Sequence, residues 1–496
     1  MFKDIVKGVA RNTSVMFFQV AITWSSTFVM MLFLPRYLGP VEYGRLFLAN
    51  SLVGIFQIFV SFGGNYLVAK EISRSPGNVG NILVNAAAHR FIFALISIIG
   101  IIAFSRVAGY PTEVNILLLI NSFSLVWFAG VSALQGCYQG LEVMQYTSLG
   151  TVVQVVFESV LVVGGLMLGA KAVVIVAIGV VATALHFLTL FALSRKIIPS
   201  LPKIDWLASI KLAKKSGPYF LFVIFSTIYY RIDSVMLSKM APEETVGWYG
   251  GAYRLFDILG VVPYIFSTAV YPVLSRVWKE ETETHRRTTQ KSLEFMVMAG
   301  IPICVGAITF ADKVVDLFYG LGGYSPSVTV LQTLSLGVVF LYVDMVLGAT
   351  LLSSDRQNHQ SLVALTAIPV NVGLNLLLIP YFQNRSGNGG IGAALATVLT
   401  EFCIMIAILY LIPKGTLRGF RLSVISKSIL SALAVVTSIW IMTSLHFSWL
   451  LQIPITILLY TGLLVALRTF EPEEEEFLRS LLSLQSLKKL KHLVSL

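Results

Sequence analysis

The stretch "YYRIDSVML", residues 229–237, sits inside an apolar run yet carries an arginine and an aspartate two residues apart. An ionisable side chain in hydrocarbon is costly, so each one marks a candidate functional position. Read as a helix, Thr227, Arg231, Ser234 and Ser238 form one polar stripe. Asp233 falls roughly 200° around the axis from Arg231, beside Tyr229 and Tyr230. The geometry assigns Arg231 to a hydrated cavity and Asp233 to a neighbouring helix. Arg254, as far after the following turn as Asp233 lies before it, is the expected partner of Asp233, with Asp257 one turn on in support.

Other polar groups interrupt the apolar segments: His89, Arg90, Glu158, Asp344 and Glu401, with the uncharged Asn50, Gln57, Gln154, Asn371 and Asn375. For the acids Asp233, Asp257, Glu158, Asp344 and Glu401 two roles stay open, interhelical hydrogen bonding and ion coupling. Arg90 is close enough to a helix start to reach the membrane surface instead of a cavity. Cys137, Cys304 and Cys403 form neither a CxxC pair nor a Cys/His cluster, so no metal site or disulfide framework is expected. There is no phosphate-cradling Walker loop, and no Ser/His/Asp arrangement has local support. No catalytic residue and no cofactor is expected, and "GNGGIGAALAT" from Gly387 reads as a tight turn into a small-residue helix.

The elements that must carry these groups follow from composition. The chain has 496 residues, 56% hydrophobic and 12% charged, with a mean hydropathy of +0.81. About fourteen apolar segments are long enough to span a bilayer. They lie near 13–34, 46–68, 83–105, 114–135, 148–169, 172–193, 217–239, 247–273, 293–311, 328–352, 361–382, 390–412, 425–445 and 450–467. With lipid as solvent, backbone groups must be satisfied within each segment, so the fold class is all-α integral membrane. Lys3, Lys7 and Arg11 precede the first span, which is too long for a cleavable leader. Alternate loops are then strongly basic: 194–216, 275–292 and 413–427. By the positive-inside rule these face the cytoplasm, as do both termini of this multi-pass protein. The net charge of +11 is thus a membrane-orientation signal, with no nucleic-acid partner implied.

The longest basic loop divides twelve spans six and six. "YLGPVEYGRLFLAN" from Tyr37 aligns with "KMAPEETVGWYGGAY" from Lys239, matching Pro40 to Pro242, Glu42 to Glu244 and Gly44 to Gly247. Both fall between the first two spans of their half, so the pseudo-repeat is parallel. The expected organisation is a six-helix lobe at 1–195, a basic linker at 196–216, a second six-helix lobe at 217–412, two additional helices at 413–468 and an amphipathic cytoplasmic tail at 469–496. In that tail, leucines from Leu478 to Leu493 recur at near-helical spacing after the acidic run Glu473 to Glu476.

The order and spacing of "RYLGPVEYG", "ALQGCYQGLEVMQYTSLGTVVQ", "RIDSVMLSKMAPEETVGWYGGAYRLFDIL", "GIPICVGAITFADKVVDLFYG" and "IPYFQNRSGNGGIGAALATVLTE" resemble the polysaccharide-biosynthesis flippases of lipid-linked oligosaccharides. These belong to the multidrug/oligosaccharidyl-lipid/polysaccharide exporter superfamily. The resemblance implies alternating access around a cationic cavity that takes a lipid (pyro)phosphate headgroup. It also implies membrane lipids and a lipid-linked oligosaccharide as partners, and glycosyltransferases or a polymerase of the same pathway. On helix faces, Arg231 is the leading phosphate-binding candidate, followed by Arg254, Arg90 and Arg45, with Asn50, Gln57, Asn371 and Asn375 as sugar contacts. Coupling to an H⁺ or Na⁺ gradient is an open expectation. The alternative is a multidrug or cation antiporter of the same superfamily. Such antiporters carry an acid in the first span, and "TSVMFFQVAITWSSTFVMMLFL" has none. A non-transporting scaffold gives no reason for the cost of intramembrane arginines.

Overall fold

The computed structural model describes residues 2–62, 65–198, 202–280 and 282–471. Among the described residues the only regular structure is helical. In chain order the helices are α1 (Phe2–Ser61), α2 (Tyr66–Arg74), α3 (Val79–Val107), α4 (Thr112–Ser122), α5 (Ser124–Gly140), α6 (Met144–Met167), α7 (Ala172–Ser194), α8 (Trp206–Met240) and α9 (Glu243–Leu259). They continue as α10 (Val261–Glu280), α11 (Thr282–Thr309), α12 (Ala311–Tyr319), α13 (Leu321–Ser335), α14 (Val338–Ser353), α15 (Gln357–Ser386), α16 (Gly389–Leu411), α17 (Leu422–Ser444) and α18 (Trp449–Ala466).

The expected apolar segments fall on these helices. Among the described residues, eleven helical stretches are long and apolar enough to cross a membrane, or twelve if the bent pair α13 and α14 is one span. The segments 13–34 and 46–68 run together through α1, which breaks only at Gly39 (φ 72°). That left-handed value suits glycine, and Pro40 next to it cannot donate the helical N–H, so the chain turns sharply and resumes at once. Part of the basic stretch is helical. The Asp205 carboxylate accepts the N–H groups of Leu207 and Ala208 at 2.9 and 3.1 Å, so α8 starts within the basic stretch.

Many large apolar side chains point outward, among them Trp440, Leu458 and Leu168 at 70%, 73% and 89% exposure. In water such a surface would aggregate; in lipid it is the solvated face. The chain forms two compact units. Unit 1 comprises 1–255, 314–330 and 361–400, and unit 2 comprises 256–313, 331–360 and 401–496. This division by packing is not the six-and-six division by topology, which stands as a proposal about the repeat. In unit 1, α1 packs on α6 and α8, and α5 packs on α3 and α7. Tyr138 is fully buried there among Val68, Ile72 and Leu134, and its hydroxyl donates to the Leu190 carbonyl at 2.5 Å. In unit 2, α11 packs on α14 and α17, and Tyr460 of α18 donates to the Met298 carbonyl at 3.0 Å. The tail expected from 469 onward lies almost wholly outside the described residues.

Candidate functional site

Unit 1 encloses a cavity of about 430 Å³. α1 bends past it twice, contributing Ser26 and Thr27 and then Asn50 and Gln57. α6 adds Gln154, Glu158 and Ser159, α7 adds Thr183, and α9 sends in Arg254. The walls are cross-braced. Asn121 donates to the Asn50 side-chain oxygen at 2.8 Å, and Gln154 meets His186 at 2.5 Å. Arg254 is close enough to Glu158 to act on it electrostatically. The lining therefore carries one guanidinium and one carboxylate amid amide and hydroxyl groups. Such a site can bind an anionic group through arginine's planar fork and polyols through amides.

The sequence placed Asn50, Gln57, Glu158 and Arg254 as candidates, and the structure brings these four together. It does not bring Arg231 to this lining; that side chain is half-buried elsewhere. Nor does Asp233 form the pair expected with Arg254. Asp233 is 3% exposed and accepts three neutral donors. These are Asn375 Nδ2 at 2.7 Å, Thr397 Oγ1 at 2.6 Å and the Tyr249 hydroxyl at 3.1 Å. The cluster ties α8 to α9, α15 and α16. Asn371 and Asn375, expected as sugar contacts, are fully buried in it, with Asn375 Nδ2 donating to Asn371 Oδ1 at 2.9 Å. A carboxylate survives burial when its oxygens are filled in this way.

The remaining candidates lie apart. Arg90 is 1% exposed and donates to Ser132 Oγ at 3.0 Å, so it joins α3 to α5 and does not reach a surface. Arg45 pairs with Glu243 at 2.8 Å and Glu42 at 3.1 Å. It lies in a small cleft with Tyr110, whose hydroxyl meets Ser238 at 3.0 Å; burial pushes the Tyr110 phenol above its ordinary pKa. Lys239 covers the Tyr110 ring at 4.2 Å. In unit 2, Asp344 and Glu401 meet directly. Two carboxyl groups in contact repel unless a proton or cation sits between them. Asp257 is exposed. Sequence reasoning missed Tyr249 and Thr397 around Asp233, and also Glu294, 2% exposed and bound to Arg421 at 2.5 Å. Glu294 stands one residue inside an apolar segment, which was the available signal.

A lipid-solvated set of helices holding a polar cavity is the architecture of a polytopic membrane transporter. The chain belongs to the polysaccharide biosynthesis protein family, whose model matches residues 9–278. The model of the lipid II flippase MurJ matches residues 150–460. Among curated proteins, the chain is 26% identical to the probable low-salt glycan biosynthesis flippase Agl15 of Haloferax volcanii, over 75% of this chain and 77% of that one. It is 27% identical to the probable multidrug resistance protein NorM of Bacillus subtilis, over 37% of this chain and 41% of that one. Among solved structures, the lipid II flippase MurJ in an inward closed conformation superposes with a TM-score of 0.73 at 17% identity. That match covers 93% of this chain and 99% of the other, and establishes the shared fold.

Proposed function

We propose that the protein is a flippase that carries a lipid-(pyro)phosphate-linked oligosaccharide from the cytoplasmic to the outer leaflet by alternating access, for cell-surface polysaccharide or glycoprotein assembly. The observation that carries this reading is the unit 1 cavity, with Arg254 among amides and hydroxyls. A phosphate bearing sugars cannot cross hydrocarbon unaided, and arginine stays charged at every physiological pH. Arg254 takes the phosphate, and Asn50, Gln57 and Gln154 take sugar hydroxyls. Glu158 lies within electrostatic reach of Arg254, so an incoming phosphate does not meet a wholly isolated charge. With basic loops inside, the cleft around Arg45, Tyr110 and Lys239 lies at the outer end, and these contacts close it. Pathway enzymes that build or polymerise the glycan are the natural neighbours.

The sequence contains no Walker loop, so a gradient is the candidate energy source. The Asp233 cluster and the Asp344–Glu401 contact are the places where H⁺ or Na⁺ would act. The second reading, a cation-coupled drug antiporter, draws on the same acids and on the shorter match to NorM.

The test uses proteoliposomes loaded with a fluorescent polyprenyl-diphosphate glycan. Arg254→Ala should lower flipping by about 10- to 100-fold, the value of one charge-assisted contact, with Arg254→Lys in between. Both variants should melt like wild type. Drug-driven proton movement with no lipid flipping would overturn the proposal and favour antiport.

A further inference from the structure

Two of the basic stretches, 275–292 at the α10–α11 junction and 413–427 before and into α17, converge in unit 2. Together with α11 and the start of α17 they enclose a pocket of about 820 Å³. Its cations are Arg286, Arg287, Lys291, Arg418 and Arg421, against the acids Glu294 and Glu471. Three of the five cations have near partners. Arg421 holds Glu294 at 2.5 Å, Lys291 holds Glu471 at 2.6 Å and Arg286 holds Glu283 at 2.5 Å. Arg287 shares Glu283, at 3.2 Å, acts on Glu471 only at longer range, and is 76% exposed. The Arg418 carbonyl accepts from Arg286 and from Gln290, but its guanidinium enters no ion pair among the described residues.

The pocket also has an apolar side. Phe266 and Phe295 stack at 5.2 Å on its wall. Phe295 stands nine residues beyond Arg286 along α11, about 13 Å deeper at 1.5 Å per residue. Under-neutralised guanidiniums at one end and stacked rings at the other match an amphiphile with an anionic head. A soluble anion would need only the first. Basic pockets between membrane helices are suited to anionic headgroups.

We propose that this pocket binds an anionic phospholipid. Its phosphate sits between Arg287 and Arg418, and an acyl chain runs over Phe266 and Phe295. The lipid bridges the start of α11 and the turn before α17. This site is separate from the unit 1 cavity and does not depend on the function assigned there.

The full chain in detergent is titrated with phosphatidylglycerol, phosphatidylcholine or inorganic phosphate. Retained lipid is read by native mass spectrometry and stabilisation by melting. Phosphatidylglycerol should bind at low salt and raise the melting temperature, while the other two should do neither. The double variant Arg287→Gln/Arg418→Gln should weaken phosphatidylglycerol binding by roughly 30-fold, from about a five-fold loss per cationic contact. Both side chains are exposed, so the variant should melt like wild type without lipid. Arg254→Gln should leave lipid binding unchanged. Equal binding by the double variant, equal binding of phosphatidylcholine, or the same stabilisation from inorganic phosphate would each overturn the proposal.

Discussion

Gly247 allows the sharpest test, because what it touches is main chain. A methyl group at this position would lie 1.9 Å from the Pro40 carbonyl oxygen and 2.6 Å from the carbonyl carbon. Carbon and oxygen ordinarily stay about 3.3 Å apart or more, so Gly247→Ala requires the bend of α1 and the start of α9 to part by about 1.4 Å. Gly44 faces the same junction, and a methyl there would meet the Glu243 oxygen at 2.4 Å. Neither contact can be relieved by rotating a side chain. Overpacking of this kind costs about 1–3 kcal/mol. In an alternating-access protein that cost falls only on the state in which these ends touch. A cost of about 2 kcal/mol shifts the balance toward the parted state by roughly 30-fold. Val114, 1% exposed, lines the adjoining cleft and reports on it. In a background with Cys137, Cys304 and Cys403 changed to Ala, Val114→Cys should react with an impermeant maleimide about 10- to 30-fold faster once Gly247→Ala is added. Gly164→Ala in α6, where a methyl meets nothing within 4 Å, should change nothing. If Gly247→Ala alters neither the labelling rate nor the melting temperature, the close approach does not constrain the protein and the reasoning fails.

Two further predictions concern buried or paired carboxyl groups. Asp233→Ala removes the acceptor that Tyr249, Thr397 and Asn375 share, but Thr397 and Asn375 keep second acceptors in the Ala393 carbonyl and Asn371, and Tyr249 keeps Thr397 within reach. Melting in detergent should therefore report a loss of about 2–4 kcal/mol, less than three orphaned donors would give. Lys291, hydrogen-bonded and charged, holds the Glu471 carboxyl below its usual pKa, with Arg421 and Arg287 assisting. A depressed folded pKa means the tie is complete at neutral pH and is lost as pH falls through that lowered value. Amide exchange over 467–471, corrected for intrinsic rates, should accelerate on acidification; Lys291→Met should remove the acid dependence, and its persistence would reject the pairing.

Class and site were legible to different degrees, for physical reasons. Helical class followed from apolar length, because lipid leaves the backbone no other partner. The i, i+2 spacing of Arg231 and Asp233 puts them in different surroundings, one half-buried and one 3% exposed, although Arg231 is not part of the unit 1 cavity lining. The partner of Asp233 was not legible. Depth matching across the α8–α9 hairpin pointed to Arg254, but Tyr249, five residues earlier and on a different face of α9, makes the contact. The other donors, Asn375 and Thr397, are 142 and 164 residues away in sequence. No local pattern encodes separations of that size. Likewise the proline and glycine around residue 39 read as a loop, whereas one left-handed residue suffices to turn α1.

The relocation of Arg254 changes how the cavity must work. Had Arg254 been fixed to Asp233, an uncompensated Arg231 would have faced the cavity, and a resting charge in a dry site is expensive. Instead the unit 1 lining holds Arg254 with Glu158 in electrostatic reach. In the proposed function, the substrate phosphate binds a guanidinium that already has a carboxyl group within electrostatic reach. That lowers affinity but also prevents the empty site from trapping small anions. It makes release easier, since Glu158 stays within electrostatic reach of Arg254 as the phosphate leaves. A carrier must let go on the far side, so a compensated arginine suits transport better than the stronger, unpaired one that the sequence suggested.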